Sequence, residues 1–278
     1  MARSDAQSPE IEKLLEQWRQ GDCVVQDGLW FVFRTHIENP LTDSARDAAM
    51  EGKDLVEEPV AGFMVVTQTC DIVRSPENRP FVEIAPLVPV SDKKLQQVKR
   101  CHYIRFAYVP GVANQNLVAD LDRSMTIEKS VLVRWSPIRG CKTDEEARQL
   151  ALCLQRKRSR FAFPDDFTDF VRPLADRIKK NHDKNTSEGQ ALRILREIRV
   201  QAEPSWDADE ILLMFWFIRS HDDDVVDIDA RVKDWLKLLP PSGRFRATGE
   251  PVRLEEMTAA DYVASEPLDL EYLSSRSD

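Results

Sequence analysis

At 278 residues and 32.0 kDa the chain is long enough for one large domain or two to three small ones. Apolar residues make up 42% and charged residues 31%, which excludes a disordered tail, and no apolar run approaches the ~18 residues needed to span a bilayer. The net charge of −9 argues against a protein coated for nucleic acid, although residues 155–200 carry 12 basic and 7 acidic residues while 201–278 carry 8 and 18.

Residues 1–8 lack the apolar core of a secretory signal, so a cytoplasmic protein with no membrane contact is expected. Five cysteines (Cys23, Cys70, Cys101, Cys141, Cys153) form no C-x-x-C pair, and free thiols are expected rather than a disulfide framework.

In chain order, Ser8-Pro9-Glu10 reads as an N-cap, a first-turn proline and an acidic first turn. Ile11, Leu14, Leu15 and Trp18 then share one face of a helix over 9–20. Short strands follow. Those at 23–26 and 29–35 flank Asp27-Gly28, a dipeptide that favours a tight hairpin turn. Residues 37–58 are polar and read as a long excursion. A buried strand runs over 62–69, a loop over 75–80, and a second strand over 81–87. Residues 91–99 have room for one or two helical turns, and strands resume at 102–108 and 125–135.

Helices come next. Thr143 and Glu146 have capping-box spacing ahead of 147–158. Pro164-Asp165-Asp166 opens another helix, with Phe167, Phe170, Val171, Leu174 and Ile178 on one face. Residues 180–189 read as a polar loop and 190–200 as a short basic helix carrying Arg193, Arg196 and Arg199. Beyond Pro204 the pattern is strand (211–218), helix (229–239), turn (240–243), strand (252–254) and short helix (258–263). The expected division is an N-terminal helix (1–20), a β-barrel domain (21–140), a helical connector (141–203) and a C-terminal α+β module (204–278).

One feature carries chemistry more than the rest. The apolar run Met64-Val65-Val66 breaks into Thr67-Gln68-Thr69-Cys70-Asp71, which puts polar and nucleophilic groups at the end of a buried strand. Strand alternation would set Gln68 and Cys70 on one face and Thr67, Thr69 and Asp71 on the other. Two readings stay open: a turn in which Asp71 satisfies backbone donors, or a polar pocket that holds a ligand. A Cys70 nucleophile would need a base, for which His102 and then His36 are the candidates. A zinc site from Cys70, Cys101 and His102 has poor geometry, since neighbours on a strand point to opposite faces. No metal or cofactor is expected.

Three further clusters are ambiguous. Asp120-Leu121-Asp122-Arg123 suits either a metal or a local ion pair. The run Arg156-Lys157-Arg158-Ser159-Arg160, followed by Phe161 and Phe163, suits either phosphate contact or cations favoured at a helix end. His221-Asp222-Asp223-Asp224 lacks the glycine and spaced glutamate of a calcium loop.

Gly21-Asp22-Cys23-Val24, Val65-Val66-Thr67 and Phe81-Val82-Glu83-Ile84-Ala85-Pro86-Leu87 together resemble the PemK/MazF-like toxin family over residues 21–87. The resemblance implies a small SH3-like β-barrel, a metal-independent endoribonuclease activity and a toxin or phage-defence setting. It also implies in-line attack by the ribose 2′-hydroxyl. Thr67 and Gln68 would position the phosphate, Asp71 or His102 would move the proton, and Arg79 or Arg105 would stabilise charge. The chain departs from the family where its catalytic arginine should stand, because Glu57-Glu58-Pro59 occupies that place and Arg79-Pro80 precedes the next strand.

The expected fold class is therefore α+β, a small SH3-like β-barrel with flanking helices and a C-terminal α+β module. The expected partner is RNA or another nucleic-acid-linked ligand, contacted by Arg79, Arg105, Arg156, Lys157, Arg158 and Arg160. The alternative is a non-catalytic adaptor or accessory subunit that holds a protein partner. A homodimer is compatible with either.

Overall fold

Buried positions alternate along Leu55–Val65, with Val56, Val60, Gly62 and Met64 turned inward, and this period of two organises the first sheet. The structure, a computed structural model, describes residues 8–33, 41–99, 103–182, 184–219 and 227–268. His36, Cys101, His102 and the 221–224 run lie outside them. The chain divides into two units, Met1–Ser159 and Arg160–Asp278.

In the first unit, helix α1 (Ser8–Leu15) is followed by β1 (Cys23–Phe33), α2 (Asp43–Met50), β2 (Leu55–Val65), α3 (Thr69–Ile72), β3 (Phe81–Pro89), α4 (Asp92–Lys99) and β4 (Phe106–Ala107). Then come β5 (Leu117–Asp120), β6 (Met125–Glu128), α5 (Lys129–Leu132) and α6 (Asp144–Arg158). The sheet runs β1-β2-β3-β5-β4, with β6 also paired to β3.

Asp27-Gly28 does not form the expected hairpin turn. β1 runs straight through it, and the register moves from Val25↔Gly62 to Gly28↔Val60, three steps against two. One extra residue is thus accommodated as a bulge. The excursion over 37–58 is likewise corrected. It contains α2, capped by the Thr42 hydroxyl accepting from the Ala45 amide at 3.1 Å, and the first residues of β2.

Neither sheet closes into a barrel, which corrects the SH3-like expectation. The first half of β3 pairs with β6 and its last three residues pair with β5. The intervening 3-10 turn, Leu121–Arg123, interrupts the run. Two-residue β4 ends the sheet, so among the described residues no ladder joins it to β1. The chain beyond β6 returns to β1 through a single bridge, Cys23↔Ile138. The coarser expectation, a mixed α+β protein, holds.

Helix α6 begins with the expected capping box: the Glu146 amide donates to Thr143 Oγ1 at 3.2 Å, and the Thr143 amide donates to Glu146 Oε2 at 3.3 Å. Its Leu150 and Leu154 join the core of the first unit beside Met64, Ala85, Leu87 and Ala119.

The second unit holds α7 (Asp165–Asn181), α8 (Ser187–Ile194), β7 (Leu195–Glu203), β8 (Ile211–Arg219), α9 (Ile228–Leu236), β9 (Phe245–Arg253), α10 (Ala259–Ala264) and β10 (Glu266–Pro267). The sheet order is β10-β7-β8-β9, with β8 and β9 parallel across the α9 crossover. Phe167, Val171, Leu174 and Ile178 of α7 pack with Ile211, Leu213, Phe215 and Phe217 of β8. The basic helix expected over 190–200 ends at Ile194. Arg196 and Arg199 lie on β7, where buried Ile198 and Val200 impose the two-residue period. The segment 141–203, read as a connector, is divided between the units. Among the described residues no helix is long and apolar enough to cross a membrane.

Candidate functional site

β2 ends at Val65, earlier than expected, because the chain turns there to satisfy its backbone locally. The Val66 and Thr67 amides both donate to the Glu83 carbonyl (2.9 and 3.3 Å), and Thr67 Oγ1 accepts from the Glu83 amide at 2.7 Å. Thr69 Oγ1 accepts from the Gln20 amide at 3.0 Å, while Gln20 Nε2 donates to the Val66 carbonyl at 2.8 Å. These bonds stitch the strand end to the segment after α1. Gln68 is the exposed residue before α3, and exposed Cys70 directs its thiol at Gln68 Oε1, 3.7 Å away. The Asp71 carboxylate lies 3.5 Å from Arg74 Nε.

Lys129, unnoticed in the sequence, holds this turn from beneath. Its side chain is fully buried, and Nζ donates to the Asp71 and Arg74 carbonyls at 2.8 and 2.7 Å. Burial pulls its pKa below the ordinary lysine value, against the opposing charge of Asp71. Lys129→Met keeps the length but leaves both carbonyls without a buried donor. It should destabilise the protein by about 2 kcal/mol, measured as a lower denaturation midpoint. An unchanged midpoint would show that water replaces the ammonium without loss.

Three of the basic residues expected to serve a phosphate, Arg105, Lys157 and Arg158, each meet a carboxylate. Arg105 binds Asp120 in a two-pronged pair, Nε to Oδ1 at 3.0 Å and NH2 to Oδ2 at 2.7 Å. Lys157 pairs with Asp122, and Arg158 with Glu83, the residue whose backbone holds Thr67. Asp120 is fully buried and also takes Arg123 Nε at 2.8 Å and the Asp122 amide at 3.2 Å. Burial pushes its pKa up, but Arg105 and Arg123 outweigh this and hold it below the usual carboxylate range. Arg123 reaches on to Glu58 at 2.5 Å. The Asp120-Leu121-Asp122-Arg123 cluster is thus an ion-pair hub.

A cavity of about 90 Å³ lies over these residues, lined by Val66, Leu121, Ser124, Leu154, Lys157 and Arg158. Arg79 is exposed on the loop before β3, Arg156 is half-buried on α6, and Arg160 begins the second unit.

Immediately before β1, buried Asp22 accepts from the Arg19 amide (2.8 Å), Arg139 NH1 (2.7 Å) and the Gly140 amide (3.3 Å). Burial, the largest influence, raises its pKa, with these partners opposing. Burial also raises the Cys23 thiol and pushes Cys141 up to about 11, which keeps both protonated at neutral pH.

In the second unit a cavity of about 180 Å³ is lined by Arg177, Glu188, Arg231, Asp234, Trp235 and Leu238. Arg177 grips Glu188 through two bonds of 2.8 and 2.9 Å, and Trp235 Nε1 donates to the same carboxylate at 3.0 Å.

Comparison with protein-family models, with curated proteins and with solved structures finds no match to this chain.

Proposed function

We propose that the first unit is a non-catalytic interaction module rather than a ribonuclease. The observation that carries this reading is the pairing of Arg105, Lys157 and Arg158 with Asp120, Asp122 and Glu83. Cations held this way are neutralised locally and offer little to the developing charge of a phosphoryl transition state. Thr67 supports the same reading, since its hydroxyl oxygen already accepts the Glu83 amide and so anchors the strand end.

Gln68, Cys70 and Asp71 then belong to an exposed recognition turn held by Lys129.

The test is incubation of purified protein with total bacterial RNA in EDTA, beside Thr67→Ala and Asp71→Asn variants, with any ends mapped by sequencing. Intact RNA at high protein concentration is the expected result. Discrete cuts that disappear in either variant would overturn the non-catalytic reading and make the turn a metal-independent nuclease site.

A further inference from the structure

The cations of the first unit are unevenly neutralised, and one run of them without carboxylate partners lies on α4. Between Asp92 and Asp120 the sequence contains five basic residues and no acidic one. Three of these, Lys93, Lys94 and Lys99, belong to α4. Helical geometry explains their placement. Leu95 and Val98 are buried against Phe106 and Val118, and Lys94 and Lys99 project from the two flanks of that stripe, with Lys93 on the exposed side.

Lys94 and Lys99 meet aromatic rings rather than carboxylates. Lys94 Nζ lies 4.3 Å from the centre of the Phe106 ring and 5.5 Å from that of Tyr103, and Lys99 Nζ lies 5.6 Å from that of Tyr108. Tyr103 and Tyr108 are half-buried, and the Tyr103 hydroxyl is fixed by donating to Gln97 Oε1 at 3.2 Å. The nearest acid in sequence, Asp92, is engaged by Asn116 Nδ2 at 2.7 Å. Among the described residues none of the three lysines meets a carboxylate within ion-pair distance. That separates them from Arg105, Arg123, Arg139, Lys157 and Arg158, all of which do.

We propose that α4 and the adjoining Tyr103 and Tyr108 form a binding surface for single-stranded nucleic acid. The proposal rests on the reading of this unit as a binding module and names the partner. The chemistry fits a single strand better than a duplex or a protein. Lysines on a short helix can follow a flexible phosphate backbone, and when Lys94 and Lys99 swing from the rings to phosphates they uncover the half-buried Tyr103 and Tyr108 for unpaired bases to stack on. A duplex buries its base faces and would leave the tyrosines unused. An acidic peptide would use the charges but would not need the rings. The first unit is nearly balanced, with 22 basic and 23 acidic residues, whereas the second carries 17 and 25. Local attraction at α4 therefore faces little repulsion from its own unit, and its lysine–phosphate contacts confine strong binding to low or moderate salt.

The experiment uses the full chain and fluorescence anisotropy with labelled 12-nucleotide oligo-rU and oligo-dT, titrated at several salt concentrations. Variant folding is checked by circular dichroism and thermal midpoint. Replacing Lys93, Lys94 and Lys99 together by Gln should weaken binding by at least about tenfold and lower the slope of log K against log salt by about two. Tyr108→Leu should weaken it by about five- to a hundredfold with the salt slope unchanged. Lys157→Gln with Arg158→Gln, whose parent residues are already paired, should change it less than about twofold. A preference for rU over dT would identify RNA as the strand, and equal affinity would indicate a general single-strand binder.

Failure to bind either oligonucleotide at low salt, or binding unchanged in the triple variant, would overturn the proposal. So would polyglutamate binding as tightly as the oligonucleotides with no effect of Tyr108→Leu, which would assign the surface to an acidic protein. Electrophoresis of the same rU samples separates the two readings. Cleaved RNA defeats the non-catalytic assignment whatever the binding shows, and intact unbound RNA defeats only the α4 surface.

Discussion

Gly62→Ala should prevent the first unit from folding normally. Gly62 sits in β2 opposite Val25, at the bulge where β1 takes its extra residue, and its φ of 136° lies where L side chains are strained. A Cβ added there would stand 1.9 Å from the Val24 carbonyl oxygen and 2.9 Å from its carbon. Those are backbone atoms of the paired strand, so no side chain can swing away to make room. Relief requires β1 and β2 to separate where Met64 and Val65 enter two hydrophobic clusters. The expected loss is about 3–5 kcal/mol, the sum of backbone strain and lost strand packing. A chemical-denaturation curve that follows both units should show the transition of residues 1–159 shifted far to lower denaturant and the other unmoved. A midpoint within about 0.5 kcal/mol of the parent would mean that the bulge tolerates a side chain and that the pairing at Gly62 is looser than its geometry implies.

Local signals in the sequence were reliable where the answer was itself local. The Thr143/Glu146 spacing, the apolar face of α7 and the run that became β8 required only the residues themselves. Asp27-Gly28 failed because whether such a dipeptide turns or bulges depends on the strand that pairs with it. Here that strand, β2, begins inside a segment polar enough to pass for a loop. Arginines spaced by three fit a helix face at 193–199, yet Ile198 and Val200 obeyed the sheet period once β8 was available as a partner.

The site was legible only in part, for a related reason. The break after Val66 lies one residue past the end of β2 at Val65, although the strand was expected to continue to 69. What decides its chemistry, however, is which carboxylates meet the cations. Lys157 finds Asp122 across 35 residues and Arg158 finds Glu83 across 75, distances over which no spacing rule operates. The α4 surface is the opposite case. The gap in acidic residues from 93 to 119 stands in the sequence, but only the fold brings its lysines to the Phe106, Tyr103 and Tyr108 rings.

Asp120→Asn should be the most damaging change to the ion-pair hub, with an expected loss of about 2–4 kcal/mol near neutral pH. The substitution keeps shape and one acceptor oxygen but removes the only charge that Arg105 and Arg123 share in a buried position. The Arg105 share is reduced by solvent, since half of that side chain is exposed, and the Arg123 share is larger at 22%. Arg123 also transmits the loss. Its carbonyl accepts Trp30 Nε1 at 2.8 Å, and Trp30 is a buried member of the core around Val24 and Val65. The sign of the pH dependence follows from the lowered pKa of Asp120. Its stabilisation is fully present above the ordinary aspartate value of about 3.9 and is lost as pH falls through the lower folded value. Denaturation midpoints of parent and variant should therefore converge on acidification below about pH 4. A variant as stable as the parent at pH 7, or a gap that persists undiminished at pH 2, would show that the hub is held by packing rather than by charge. The same substitution bears on function, because Arg105 lies 5.0 Å from the Phe106 ring that Lys94 also covers. Left with only the looser pairing to Asp122 at 3.8 Å, Arg105 would add a partly neutralised cation to the α4 surface and should raise oligonucleotide affinity by roughly twofold at low salt.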